Sequence, residues 1–233
     1  MKAEIYSNRK MIGTSELQVT DEYMGVISGE FIPNDNYNKI RRIIWDFHNL
    51  TSDGSYKQLE GLRLNVRLAN GYFLFPIGGF LITDIEEIPN EKKELEVAGI
   101  CRHLIEDNFL TTPPKERILE PWEFISIDQK IEFEDELSKE IGRDLNSGIF
   151  NILKRKHSLC EFQFSATAKS CRNDDVLFAI HKKGKNDFEY TVIHLTWKGE
   201  LEKNGIYPKT EFHKTFDDFL NNRMYPDKKE WDD

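Results

Sequence analysis

Apolar and polar residues alternate along this chain with a period that changes several times, and each change predicts an element. Leu62, Leu64, Val66 and Leu68 are separated by Arg63, Asn65 and Arg67. A period of two puts the apolar side chains on one face of a strand and leaves the other face wet. Asn70-Gly71 follows, a pair suited to the two-residue hairpin turns that need positive φ, and Tyr72 to Phe75 is expected to return as the partner strand. Upstream, Ala3, Ile5 and Met11-Ile12 are short apolar pieces, and Met24 to Ile32 reads as a strand broken by Pro33-Asn34-Asp35. The step then lengthens: Tyr37, Ile40, Ile44 and Phe47 recur every three or four residues, which predicts an amphipathic helix capped by Asn34 or Asp35. Another strand is expected over Glu94 to Ile100, and a short helix from near Arg102 to Thr111-Thr112.

The second half has a different rhythm. Phe133, Leu137, Ile141, Leu145, Ile149 and Ile152-Leu153 recur at helical spacing, which predicts a long helix from about Asp128 to Lys156. Gly142 and Gly148 count against its continuity, each by roughly 1 kcal/mol relative to Ala. Three strands follow, at Phe162–Ala168, Val176–Ile180 and Tyr190–Trp197, the last two joined by the polar loop 182–187. The last strand is apolar almost throughout, so both of its faces are expected to be covered, and Trp197 at its end is expected in the core. Phe216, Phe219 and Leu220 read as a closing helix.

Pro113-Pro114 separates the two rhythms, and proline pairs favour extended spacers between domains. The reading is an α+β chain of two small domains, each an antiparallel sheet with packed helices. Residues 1–112 form the first, 113–127 a linker, and 128–233 the second, with a helix, a three-stranded sheet and a helix.

Composition narrows the function classes. With 32 basic and 41 acidic side chains the 233-residue chain carries a formal charge of −9, so its surface repels phosphate. Nucleic-acid binding relies on clustered Lys and Arg, whereas the densest group here, Lys154-Arg155-Lys156, reads as the solvated end of a helix. The three cysteines are not in CxxC pairs, and Met1 to Lys10 lacks the apolar core of a secretory signal. No run of about 18 apolar residues is present to span a membrane. These features lead us to expect a cytoplasmic protein with no membrane partner and no disulfide framework.

Candidate chemistry is sparse. The glycine turns at Gly78-Gly79 and Asn204-Gly205 match no phosphate-binding motif. His181 and His194 fall on neighbouring predicted strands, close to Cys171 and Asp174-Asp175, but no metal-ligand spacing joins them. Cys160 lies three residues after His157 without a signature for nucleophilic catalysis. We therefore expect no catalytic residue, no metal and no cofactor. The C-terminal stretch offers a partner-binding candidate instead: Asp217, Asp218, Asp227, Glu230, Asp232 and Asp233 around Tyr225 and Trp231. Acids steer a basic partner while aromatics anchor it.

Two stretches resemble small bacterial families of uncharacterised function. In the first half the likeness rests on Ile12-Gly13-Thr14, Met24-Gly25, Gly29-Glu30-Phe31-Ile32-Pro33 and Asn70-Gly71-Tyr72-Phe73-Leu74-Phe75-Pro76. In the second it rests on Asp174-Asp175-Val176-Leu177-Phe178, Ile193-His194-Leu195-Thr196-Trp197, Pro208-Lys209-Thr210, Arg223-Met224, Pro226-Asp227 and Glu230-Trp231. Both are similar in style to acidic immunity proteins encoded beside bacterial toxins. The resemblance implies a non-catalytic inhibitor of a cationic toxin, with a protein as its partner. The alternative is a hydrolase that uses His194 with Cys171 or Asp174, or a structural subunit of a larger assembly.

Overall fold

The computed structural model describes residues 1–49, 55–112, 118–143, 157–182, 188–201 and 208–233. The chain divides into two compact units, Met1–Lys115 and Glu116–Asp233, and each is an antiparallel sheet with helices. Pro113-Pro114, Lys154-Arg155-Lys156, the tip of the 182–187 loop and Asn204-Gly205 lie outside the described residues.

In the first unit the strands are β1 (Lys2–Ser7), β2 (Lys10–Glu16), β3 (Gln18–Asp21), β4 (Val26–Pro33), β5 (Leu64–Leu68), β6 (Gly79–Thr83) and β7 (Lys93–Ala98). They are ordered β5-β1-β2-β4-β7-β6, with β3 also paired to β4. The alternation in Leu64–Leu68 is realised against β1, where Val66 faces Ile5 and both are fully buried. Gly71 adopts φ +95°, and the turn is closed by bonds from Leu68 N to Tyr72 O and from Leu74 N to Val66 O. The return from Tyr72 makes only an isolated bridge, Arg67 to Phe73. Tyr72, Phe73 and Leu74 are all buried, so this segment packs into the core on successive residues and does not run on as the expected partner strand.

The expected helix after Asn34 is a short 3-10 turn at Tyr37–Lys39 followed by α1 (Arg41–His48); α2 (Ser55–Gly61) comes next. Its anchor is Asp84, whose carboxylate is almost completely buried and accepts from Tyr37 Oη at 2.8 Å and from Arg41 Nε and Nη2 at 2.6 and 3.0 Å. Burial alone would raise that carboxyl, but the donors from Arg41 and Tyr37 hold it below the usual range. The segment from Arg102 is α3 (Arg102–Ile105), widening to a π turn through Leu110.

The second sheet has five strands, not three. They are β8 (Trp122–Phe124), β9 (Phe162–Ser170), β10 (Asp175–Lys182), β11 (Glu189–His194) and β12 (Lys209–His213), in the order β12-β11-β10-β9-β8. The stretch 118–127, expected as linker, belongs to this unit: β8 pairs with β9, and Ile118, Trp122 and Ile125 are buried. Seven consecutive residues of β10 are buried, so both of its faces are covered. The helix α4 (Ile127–Glu140) begins at a capping box in which Ser126 Oγ accepts from Gln129 N and Gln129 Oε1 accepts from Ser126 N. It stops at Ile141, where Gly142, one of the two glycines that counted against continuity, takes φ +74°; residues 144–156 of the expected helix lie outside the described residues. The C-terminus is α5 (Phe216–Phe219), a π turn over Leu220–Met224, and α6 (Tyr225–Asp232). Phe216 and Phe219 pack on Tyr190 and Trp122, with ring centroids 5.2 and 5.1 Å apart.

Phe178 is fully buried on β10. Phe178→Ala should cost about 3–5 kcal/mol, and Ser126→Ala about 1 kcal/mol through the lost cap. Urea unfolding followed on the second unit's tryptophans measures both; equal losses at the two positions would show that the core placement is wrong.

Candidate functional site

Strand register assembles a polar cluster from residues distant in sequence. Asp175 at the start of β10 stands opposite His194 at the end of β11, and His194 stands opposite Lys209 at the start of β12. Side chains paired this way across an antiparallel ladder project from one face, with Cβ atoms about 4.5–5.5 Å apart. His194 Nδ1 lies 2.9 Å from Asp175 Oδ1. A carboxylate can only accept, so the proton sits on Nδ1, and Nε2 points away from the acid.

Arg223 reaches this row from the π turn between α5 and α6. Turns of this width recur at functional sites. Each of three nitrogens donates to a different carboxylate: Nη2 to Asp175 Oδ2 at 2.6 Å, Nη1 to Glu211 Oε2 at 3.0 Å, and Nε to Asp227 Oδ2 at 2.9 Å. Burial works against its charge, but the acids outweigh burial and raise its pKa further. Trp122 Nε1 donates to the same Asp227 oxygen at 2.8 Å. A groove of about 470 Å³ is lined by Asp175, His194, Lys209, Glu211, Arg223 and Asn173 among others. A second hollow of about 300 Å³ shares Asn173 and Arg223 and adds Arg172, Asp227 and Glu230.

The structure separates the residues expected to form the partner site. Asp227 and Glu230 line the second hollow, where Glu230 accepts from Arg172 at 3.0 Å. Asp218 helps to close the turn into α5: its N–H donates to Thr215 Oγ1, and its Oδ2 accepts from Lys214 N. Asp217 lies beside it in that first turn. Tyr225 and Trp231 are 47% and 48% exposed on α6, a helix with no buried residue. Asp232 takes Lys228, and Asp233 ends the chain, exposed. Six residues at 100° each put Tyr225 and Trp231 about 120° apart around the axis, so they do not form one patch.

Trp197 departs from expectation. It is 45% exposed, and its backbone has φ +56°, the left-handed region that a bulky side chain rarely adopts. Two carboxylates one turn apart on α4 hold this loop. Glu140 Oε1 accepts from Thr196 N, Thr196 Oγ1 and Trp197 N at 2.6, 2.8 and 2.9 Å, and Glu136 Oε1 accepts from Gly199 N at 2.7 Å. Both acids are buried, and Glu140 Oε2 has no hydrogen-bond partner. Burial pushes the Glu140 carboxyl up, with Glu136 adding to the effect against the donors from the loop.

The residues considered for a hydrolase do not join His194. Asp174 Oδ1 accepts from the Trp197 indole at 3.1 Å, and Cys171 is exposed, its thiol raised by burial of the sulfur and by Glu123. His181 and His194 end up at opposite ends of neighbouring strands: His194 pairs with Asp175, and His181 with Gln163. Among the described residues no group of three or more His, Cys, Asp or Glu is placed to hold a metal ion, and no helix is long and apolar enough to cross a membrane. No family model, curated protein or solved structure matches the chain.

Sequence reasoning missed Arg223 and Glu211; the signal available was the i,i+4 spacing of Arg223 and Asp227, whereas Glu211 reaches the site through the pairing of β12 with β11. It also missed Glu136 and Glu140, each one residue before an apolar position of the helix. Chemically, the groove offers an oriented imidazole beside a guanidinium already bonded to three carboxylates, and the adjoining loop offers a fixed, exposed indole.

Glu140 gives a pH prediction. Its folded pKa lies above the ordinary 4.5, so between 4.5 and the folded value the folded state holds a proton that the unfolded state has released. Stability therefore falls as pH rises through that window. Glu140→Gln removes this term, so wild type should lose stability relative to the variant as pH increases from about 4 to 7. A difference that stays constant, or that grows in favour of wild type, would contradict the assignment; thermal melts at several pH values measure it.

Proposed function

We propose that the chain is a non-catalytic protein-binding module, an immunity- or antitoxin-like inhibitor of the bacterial cytoplasm that docks a basic protein through its C-terminal helix. The observation that carries the reading is α6 itself. The helix buries none of its residues, yet it presents two large aromatic side chains beside Glu230, Asp232 and Asp233. A helix that contributes nothing to the core, and that is tied down by charge, suits a surface kept for a partner. Trp231 shares its side of the helix with Asp227 and Lys228, whereas Tyr225 lies around the axis. Trp231 is therefore the anchor, and the acids around it steer approach. The overall charge of −9 extends the same field.

A second reading rests on one specific observation, the His194–Asp175 pair that opens onto the 470 Å³ groove. An imidazole oriented by a carboxylate is the usual form of a general base. That reading calls for hydrolysis of an ester or amide, with His194→Ala abolishing turnover.

The test is kinetic. A partner captured on the immobilised chain and identified by mass spectrometry should be basic, and its association should slow as salt rises, because surface steering is screened over about 8 Å at physiological ionic strength. Glu230→Gln, Asp232→Asn and Asp233→Asn together should lower the on-rate, and Trp231→Ala should raise the off-rate. Asp227 is left intact because it holds the helix to Arg223. A partner that binds both variants with wild-type kinetics rules out docking through α6.

A further inference from the structure

The Trp197 loop combines three features that work against stability and together hold one aromatic side chain in solvent. The first is the left-handed backbone at Trp197. The second is a pair of buried acids, Glu136 and Glu140, that hold the loop through neutral N–H and O–H groups, with Lys139, 3.5 Å from Glu136, as a nearby cation. The third is the buried oxygen Glu140 Oε2, which has no hydrogen-bond partner. Strained backbone and under-satisfied buried polar groups persist where surrounding structure enforces them, and they cluster at functional positions. Here the surroundings are α4 on one side and the start of β10 on the other. Phe133 of α4 meets the indole edge-on, with ring centroids 5.8 Å apart. The indole N–H is fixed by Asp174, an exposed residue that spends one oxygen on it. The ring therefore has its position set from both ends while nearly half of the residue remains exposed.

An exposed indole beside an exposed carboxylate has a defined complement. A guanidinium can lie on the π face while its N–H groups bond the acid, which gives cation–π attraction and a charge-assisted bond at once. An ammonium ion makes only a point contact and is more strongly hydrated. We propose that Trp197 and Asp174 form a preorganised receptor for an arginine side chain of the basic partner. The inference rests on the proposed protein-binding function and adds to it a second contact, separate from Trp231, and a specific residue type on the partner. Charge complementarity supports it: the chain is acidic overall, and the carboxylate at this position sits at the ring's edge, bonded to the indole N–H.

The experiment follows the indole N–H resonances of the intact chain by NMR. The four tryptophans are Trp45, Trp122, Trp197 and Trp231, and Trp197→Phe assigns the signal of interest while keeping the backbone bonds to Glu140. Acetyl-arginine amide is the probe, with acetyl-lysine amide and acetyl-leucine amide as comparisons. The expected result is a saturable shift of the Trp197 signal with the arginine probe, binding at least about threefold more tightly than the lysine one. Asp174→Asn should weaken it about tenfold while the other three indole signals keep their positions. A saturable shift confined to Trp231 would overturn the Trp197 receptor while leaving docking through α6 standing. An equal response to the leucine probe, or an undiminished one in Asp174→Asn, would overturn the guanidinium assignment. The absence of a saturable shift at Trp197 would overturn it as well; docking through α6 is decided separately by the kinetics of Trp231→Ala.

Discussion

One guanidinium holds the C-terminal part of the second unit together. Arg223 binds Asp175 of β10, Glu211 of β12 and Asp227 of α6 through three different nitrogens, so a strand in the middle of the sheet, an edge strand and the last helix meet at one side chain. The apolar contribution comes earlier, where Phe216, Phe219, Leu220 and Met224 are buried, and it ends where α6 begins. Beyond that point the helix is retained by Arg223–Asp227, Trp122–Asp227 and Arg172–Glu230. Hydrogen bonds to charged groups contribute about 1.5–3 kcal/mol each when shielded and much less at the surface. Of the acids involved, Asp175 is the most buried and Glu230 the most exposed, so the Asp175 contact dominates.

The same face shows how position in the sheet turns ordinary residues into a site. His194 and Asp175 meet because β10 and β11 pair in that register, and a shift of one residue would send each to the opposite face. Just beyond β11 the chain leaves the ladder, and its freed N–H groups at Thr196, Trp197 and Gly199 are taken by Glu136 and Glu140. A carboxylate collecting several backbone donors gives a fixed loop geometry that side-chain packing alone would not. The charge of Glu140 is the destabilising part of the arrangement, and the ordered position of Trp197 is its result.

Much of the fold could be read from periodicity. The Leu64–Leu68 alternation, the Asn70-Gly71 turn and the apolar runs of β10 and β11 are local signals, and the two-unit α+β architecture follows from them. What escaped was non-local. β8 is only three residues long, and β12, Lys-Thr-Glu-Phe-His, has a single apolar residue and so no alternation; they become strands because a sheet edge is there to pair with. Trp197 looked like core because it ends an apolar strand, but left-handed backbone after Leu195 turns it outward. The exposed aromatics of α6 were legible as candidates because the residues around them are mostly charged. The full role of Asp227 was not, since nothing in sequence brings Trp122 to it or ties its i,i+4 neighbour Arg223 to Asp175 and Glu211.

Charge centred on Arg223, and not apolar burial, keeps α6 on the sheet. Amide hydrogen exchange of Arg223→Leu against wild type tests it directly, because protection reports local opening segment by segment. In the variant, amides of Tyr225–Asp232 should lose protection by roughly ten- to a hundredfold, corresponding to about 1.5–3 kcal/mol, while those of β9, β10 and β11 keep theirs. Unchanged protection across α6 would contradict it, and so would an equal loss throughout the sheet.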